Sequence, residues 1–307
     1  MDSAAPFIAN WEIAPAGAGV FDARLVLDDE SPFAGHYPGR PVLPGTFQIE
    51  ALFQAAATAL GGSWRLEEIV SCRFHAPLSP HDVVQARLTI TEAEGGARLV
   101  EASAKASTEA AEVRLRLAPA DRPLEKTPEA PPDVRPGLTW EQAKTDARAL
   151  DGAFLLRILP HRFPAVLVDR ALLACADTSK PVLMSFKAVS FGERCYARAG
   201  PLSSFAYPAT MIAESFCQSC GLLRAGSAPP GERRDETKLP VVAKLSRLRF
   251  ASEVVPGEVL EHRLRLAARM PDGAVFSGET VVGSRLVMRA EKVVAAVTQA
   301  PATSSRT

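Results

Sequence analysis

Gly35-His36-Tyr37-Pro38-Gly39-Arg40-Pro41-Val42-Leu43-Pro44-Gly45-Thr46-Phe47-Gln48-Ile49-Glu50-Ala51-Leu52-Phe53-Gln54 opens as a Pro/Gly-dense loop with one histidine and passes directly into an apolar helical run. The run continues to Leu60. Gly61-Gly62 stops it, because glycine takes the left-handed cap conformation without a Cβ clash. The helix is too apolar for a surface position. Glu50 and Gln54 are four residues apart and share one face. A carboxylate on a buried helix is costly unless it is paired, hydrogen-bonded or protonated, so Glu50 is either structurally satisfied or chemically employed.

A second stretch, Tyr207-Pro208-Ala209-Thr210-Met211-Ile212-Ala213-Glu214-Ser215-Phe216-Cys217-Gln218, repeats the pattern. Pro44, Glu50 and Gln54 map onto Pro208, Glu214 and Gln218, each 164 residues on. Farther along, Arg73-Phe74, Pro80 and Asp82 map onto Arg249-Phe250, Pro256 and Glu258, now 176 residues on. The growth of the offset by 12 marks an insertion, Ala225–Glu236, expected to be a mobile surface loop. A repeat of this period means two copies of one unit, with an internal two-fold interface in place of a homodimer interface.

The patterning predicts strands at 7–28, 69–78, 83–91, 97–107 and 111–117, and again at 165–174, 180–191 and 194–199. Residues 151–158 read as a helix. Thr139 caps another that starts at Trp140, with Gln142 completing a capping box. Residues 118–138 are Pro-rich and charged, the signature of an extended linker. The fold class is therefore α+β. The domain division is a first repeat at 1–117, a linker at 118–138 and a second repeat at 139–307.

A formal net charge of +0 gives no bulk electrostatic case for nucleic acid or an anionic membrane. No apolar run approaches the ~18–20 residues that span a bilayer, and Met1–Pro6 lacks a signal-peptide pattern. A soluble cytoplasmic protein is expected. The 5 cysteines are odd in number and scattered, which argues against a disulfide framework. Cys217-Gln218-Ser219-Cys220 sits inside an apolar helix and reads as buried packing; no metal or other cofactor is expected.

The repeat is asymmetric. Fourteen residues before Glu50 stands His36, whereas fourteen before Glu214 stands Gly200. The stretch His36–Gly45, followed by Ile49-Glu50-Ala51 and Gln54, resembles the signature of the FabZ/FabA-type (3R)-hydroxyacyl-[acyl-carrier-protein] dehydratases. Leu159-Pro160-His161-Arg162-Phe163-Pro164 with Leu167-Val168-Asp169-Arg170 resembles the N-terminal segment of the same family, present only in the second half. The resemblance covers both halves but not the linker.

The resemblance implies a hot-dog fold in each half: a long central helix wrapped by an antiparallel sheet, and a double hot-dog overall. It also implies a composite active site, with histidine from one half and carboxylate from the other. On this chain that pairs His36 with Glu214, and leaves Glu50 facing Gly200 without a base. The same division resembles the double hot-dog dehydratases of modular polyketide synthases, which use aspartate where this chain has glutamate. The implied reaction is dehydration of 3-hydroxyacyl thioesters to trans-2-enoyl thioesters, on an acyl carrier protein, in fatty acid or polyketide biosynthesis.

An imidazole is the natural base near neutral pH. A carboxyl raised by burial would carry the proton for the leaving hydroxide, and that role is expected of Glu214. Gln218, one turn on, is expected to orient it. The Gly45 N–H at the helix start is expected to bind the thioester oxygen. Phe163 and Phe205 are expected to line or gate an acyl channel, and His161 to serve packing or to shape the tunnel. Arg40, Arg198, Arg224, Arg233 and Arg234 are the basic residues weighed for contact with the carrier or its pantetheine phosphate. The competing readings are a hot-dog thioesterase and a non-catalytic acyl-binding partner of another dehydratase. Further homodimerisation of the pseudo-dimer is left open.

Overall fold

The computed structural model describes residues 5, 7–122, 133–135, 138–174, 181–197, 204–228 and 238–299. The first half contains β1 (Glu12–Gly17), β2 (Val20–Val26), α1 (Gly45–Leu60), β3 (Trp64–Phe74), β4 (Val83–Glu92), β5 (Arg98–Lys105) and β6 (Glu109–Pro119). A connecting region follows with β7 (Asp133–Arg135), β8 (Leu138–Thr139), α2 (Trp140–Thr145), β9 (Arg148–Leu150) and α3 (Gly152–Ile158). The second half then gives β10 (Arg170–Ala174), β11 (Val182–Ala188), α4 (Ala209–Gly226), β12 (Lys238–Phe250), β13 (Val259–Met270), β14 (Gly273–Val282) and β15 (Arg285–Gln299).

Alternation builds the sheet. From Val83 to Ile90 every second side chain is buried, as a strand with one face on a core requires. Among the described residues thirteen strands form one sheet in the order β1-β2-β4-β5-β6-β3-β12-β15-β14-β13-β11-β10-β9. The order of β2-β4-β5-β6-β3 is mirrored by β11-β13-β14-β15-β12, so each half contributes the same unit. The seam is the antiparallel pairing of β3 with β12, where Cys72 stands opposite Leu245 and Ser71 opposite Ser246.

The two long helices lie inside this sheet. Of the 18 residues of α4, 13 are buried, which is how a helix apolar on nearly all sides comes to rest in a core. Side chains from both helices and both halves of the sheet belong to one continuous apolar core. The outer face of the second half is covered by α2. Trp140 and Ala143 pack on Leu172, Ala174, Val182 and Met184, with the Arg263 and Arg265 guanidinia over the indole ring at 5.6 and 4.9 Å. The start of α2 shows the expected capping box between Thr139 and Gln142.

Several boundaries differ from those the sequence predicts. Within 165–174 only Arg170–Ala174 is a strand, because the Gln218 amide takes the Ala165 carbonyl and the Leu167 N–H out of any ladder. Within 194–199, Arg194–Tyr196 is a 3-10 turn rather than a strand. Ala118 and Pro119 finish β6 opposite Arg65 and Trp64, and β7 pairs with β8, so parts of the 118–138 segment are paired strand; residues 123–132 and 136–137 lie outside the described residues. Helix α4 runs on to Gly226, into the expected insertion loop; residues 229–237 lie outside the described residues.

Beneath α4 a buried histidine joins helix to sheet. His262 on β13 bonds through Nε2 to Ser215 Oγ and through Nδ1 to Thr280 Oγ1, both at 2.8 Å. Burial lowers its pKa from 6.5 to about 3. The unfolded chain therefore binds this proton below pH 6.5 while the folded chain refuses it. Stability against urea is expected to fall by roughly 1.4 kcal/mol per pH unit from this group as pH drops from 6.5 towards 3. A His262→Asn variant, which does not titrate, is expected to lose that part of the slope.

Candidate active site

Each long helix starts after a proline, Pro44 or Pro208, and carries a threonine in its first turn. The two helices meet near these starts and exchange hydrogen bonds. Thr46 Oγ1 donates to Glu214 Oε2 at 2.7 Å, and Thr210 Oγ1 donates to Glu50 Oε2 at 2.6 Å. The glutamine one turn on completes each cradle: Gln218 Nε2 donates to Glu214 Oε1, and Gln54 Nε2 to Glu50 Oε1, both at 3.0 Å. Each glutamine is itself fixed by backbone. Gln218 bonds Leu167 N–H and the Ala165 carbonyl; Gln54 bonds Ala9 N–H and the Phe7 carbonyl.

The two carboxylates thus have equivalent hydrogen-bond donors, and both are buried. They differ in what faces them. Glu214 meets two imidazoles. His161 Nε2 lies 3.6 Å from Glu214 Oε1, and the His161 and His36 ring centroids are 5.0 Å apart. Donor atoms of His36, His161 and Glu214 all lie within 4.8 Å of one another. The two imidazoles come from opposite halves, His36 from the loop before α1 and His161 from the loop after α3. Those loops are tied by the Arg162 N–H, which donates to the Gly35 carbonyl at 2.7 Å.

His36 is buried and its Nδ1 lies 2.6 Å from the Val42 carbonyl oxygen. A carbonyl only accepts, so Nδ1 carries the hydrogen and Nε2 keeps its lone pair. The Tyr37 ring stands edge-on to the imidazole at 4.7 Å.

The charge states follow from this asymmetry. Burial pushes the Glu50 carboxyl up, and the bonds from Gln54 and Thr210 only partly offset it. Burial pushes Glu214 up as well, but the His161 and His36 imidazoles, with the Thr46 and Gln218 bonds, bring it below the usual range. Burial lowers His36 against the opposing pull of Glu214 and the Val42 bond. Burial lowers His161 to about 4, opposed by Glu214 and reinforced by His36 and Arg162. Near neutral pH the cluster therefore holds an ionised carboxylate and two unprotonated imidazoles. The expectation that desolvation keeps Glu214 protonated is corrected: burial raises both carboxyls, but at Glu214 the imidazoles and hydrogen bonds together outweigh it, and the carboxyl left raised is Glu50.

Gly45 is the first residue of α1, where helical geometry leaves N–H groups without intrahelical acceptors. A Cβ there would stand 2.8 Å from the Phe74 ring. Phe163 is 89% exposed. Phe205 packs edge-on against Phe191 at 5.5 Å, and its carbonyl accepts from Tyr196 OH. Tyr196 follows Cys195, whose thiol is pushed up to about 12 by burial and the nearby Glu193 carboxylate. Gly200, Arg198, Arg233 and Arg234 lie outside the described residues. Cys217 and Cys220 are buried and free, as packing residues are.

Three participants exceed the sequence reading. Thr46 and Thr210 obey the same 164-residue offset as the glutamates, a signal present in the repeat itself. His161 is a member of the cluster rather than a packing residue.

Gly35 holds the two loops together, with φ +76 and its Cα so placed that a Cβ would lie 2.3 Å from the Arg162 carbonyl oxygen. Gly35→Ala is expected to cost about 1–3 kcal/mol and to lower turnover by separating His36 from His161. Gly39→Ala is the control: its φ is +80, yet nothing lies within 4 Å of its Cβ position. Thermal melting and turnover of both variants check this.

Residues 20–112 match a family model described as ApeI-like, ApeI dehydratase. The 3-hydroxyacyl-[acyl-carrier-protein] dehydratase FabZ of Campylobacter fetus subsp. fetus (strain 82-40) is 32% identical over 143 residues, covering 46% of this chain and 94% of that protein. The FabZ of Pseudothermotoga lettingae is 33% identical over 138 residues, 45% of this chain and 90% of that protein. Among solved structures, the dehydratase domain of the polyketide PpsC from Mycobacterium tuberculosis aligns with TM-score 0.62 at 17% identity, over 96% of this chain and 99% of that one. The dehydratase domain from the terminal module of the rifamycin polyketide synthase aligns with TM-score 0.56 at 18% identity, over 90% of each chain. The last two likenesses bear on fold, and the fold is the double hot-dog of those domains.

Proposed function

We infer the reaction from the premise that this chain belongs to the family of FabZ-type 3-hydroxyacyl-[acyl-carrier-protein] dehydratases. The function is dehydration of 3-hydroxyacyl thioesters to enoyl thioesters in fatty acid or polyketide biosynthesis. One observation carries the residue roles: an imidazole with a free Nε2 lone pair and a carboxylate, contributed by opposite halves, share one buried cluster.

In this reading His36 Nε2 takes the proton from C2 of the substrate. The C2–H electrons form the C2=C3 double bond and the C3–O bond breaks. The departing hydroxide takes the proton back from His36 and leaves as water, so the protein returns to its starting protonation. Glu214 stays ionised throughout and stabilises the imidazolium while it exists, an interaction strengthened by the dry surroundings. Thr46 and Gln218 hold the carboxylate in place. The Gly45 N–H, with the positive end of α1 behind it, stabilises charge on the thioester oxygen as the C2 proton leaves. The substrate arrives on an acyl carrier protein through its phosphopantetheine thioester, the usual carrier of the relatives named above.

The test is incubation of the purified chain with 3-hydroxyacyl thioesters of graded length, on pantetheine and on a carrier protein. Loss of one water and appearance of trans-2-enoyl absorption is the expected result. Release of free thiol without an enoyl product would instead indicate a thioesterase and overturn the reading.

A further inference from the structure

We propose that His36, His161 and Glu214 form a binding site for Zn2+, and that the bound metal blocks the dehydration inferred above. Only the inhibitory half of this statement rests on that reaction; the binding half rests on geometry.

Two imidazoles and one carboxylate are the donor set of open zinc sites, in which a water takes the fourth position. Tetrahedral zinc with bonds near 2.0–2.1 Å spaces its donors roughly 3.3 Å apart. Here His161 Nε2 and Glu214 Oε1 are already 3.6 Å apart, and every donor pair lies within 4.8 Å. All three side chains are buried. Their supports suit a metal. The His36 Nδ1–H donates to the Val42 carbonyl, which directs Nε2 into the cluster and supplies the outer hydrogen bond that metal-bound histidines use. Thr46 holds the other oxygen of Glu214. His161 Nδ1 is buried with no hydrogen-bond partner among the described residues, so no outer hydrogen bond holds that ring in its present orientation.

A bound Zn2+ occupies the Nε2 lone pair of His36, which is the base in the inferred reaction.

The molecule supplies its own controls. The Glu50 cradle has the same threonine and glutamine donors, yet no imidazole is among the groups acting on Glu50 in the described residues. A second trio among the described residues, His75, Glu109 and Glu112, lies at the surface, with His75 Nε2 3.4 Å from Glu112 Oε2.

The test uses the full chain after treatment with a chelator, titrated with Zn2+ by calorimetry and with Co2+ by visible absorption. One saturable site is expected, with tetrahedral cobalt bands and no thiolate charge-transfer band from Cys217 or Cys220. His161→Ala and Glu214→Gln are each expected to weaken Zn2+ binding at least about 100-fold, since even outer-shell losses cost 10–100-fold. His75→Ala is expected to leave binding unchanged. His161→Gln, nearer in size, replaces the alanine variant if circular dichroism shows that variant to be unfolded. The proposal is overturned by absence of Zn2+ binding, by full binding in the folded His161 variant, by loss of binding in His75→Ala, or by a thiolate band. Binding is read without substrate. A chain that binds zinc but makes no enoyl product therefore fails the reaction alone, and a chain that dehydrates unaffected by saturating Zn2+ fails this proposal alone.

Discussion

His36→Ala is expected to lower kcat/KM for enoyl thioester formation by about 10²–10⁴, the usual scale for removing a positioned base. The fold is expected to survive, because the ring sits in a loop whose path is held independently by the Arg162–Gly35 bond and by the bond from Leu43 N–H to the Leu78 carbonyl. Circular dichroism and melting temperature check this. The pH profile adds a second reading. His36 must be unprotonated to act, and burial lowers its pKa below 6.5. Activity is therefore expected to be level from neutral pH upwards and to fall only on the acid side, below pH 6.5. A basic limb in kcat/KM near neutral pH, signalling a required protonated carboxyl, would contradict the ionised state assigned to Glu214.

The second large effect is a difference between two residues in nearly the same cradle. Glu214→Gln keeps the shape and removes the charge that stabilises the imidazolium, so turnover is expected to drop by about 10²–10⁴. Glu50→Gln makes the same change where burial already raises the carboxyl and no imidazole is among its partners, so turnover is expected to stay within about threefold of the parent. Both variants leave the threonine with an acceptor, the amide oxygen. Equal losses in the two would mean that the Glu50 side also turns over substrate.

Much of this was legible in the residues. The repeat of Pro44, Glu50 and Gln54 at Pro208, Glu214 and Gln218 revealed two equivalent helices, and the alternation in β4 and its neighbours revealed the sheet. The pairing of His36 with Glu214 was expected from the missing second histidine together with the resemblance. The charge on Glu214 was not legible, because it depends on two imidazoles brought up by loops from opposite halves. His161 was undervalued for a related reason. Its loop reaches the carboxylate only because the Gln218 amide captures the backbone at Ala165 and Leu167, and side-chain capture of backbone leaves no periodic trace. That capture also shortened the predicted strand at 165–174. The exposure of Phe163 was not legible either, because loop position does not specify which way a ring points.

The β3–β12 seam has a consequence for how the activity responds to dilution. A composite site assembled from two separate subunits disperses as the solution is thinned, since association depends on protomer concentration. Here the partners share one chain, and a continuous ladder with Leu245 against Cys72 and Leu248 against Ile69 holds them edge to edge. The encounter of His36 with Glu214 is thus an intramolecular event with a fixed effective concentration. Specific activity should stay constant however dilute the assay. A lesion in one half also cannot be rescued by exchanging subunits with an intact neighbour. The same covalent arrangement lets a substitution strike one cradle and spare the other, a freedom that identical subunits lack because every change in them appears twice.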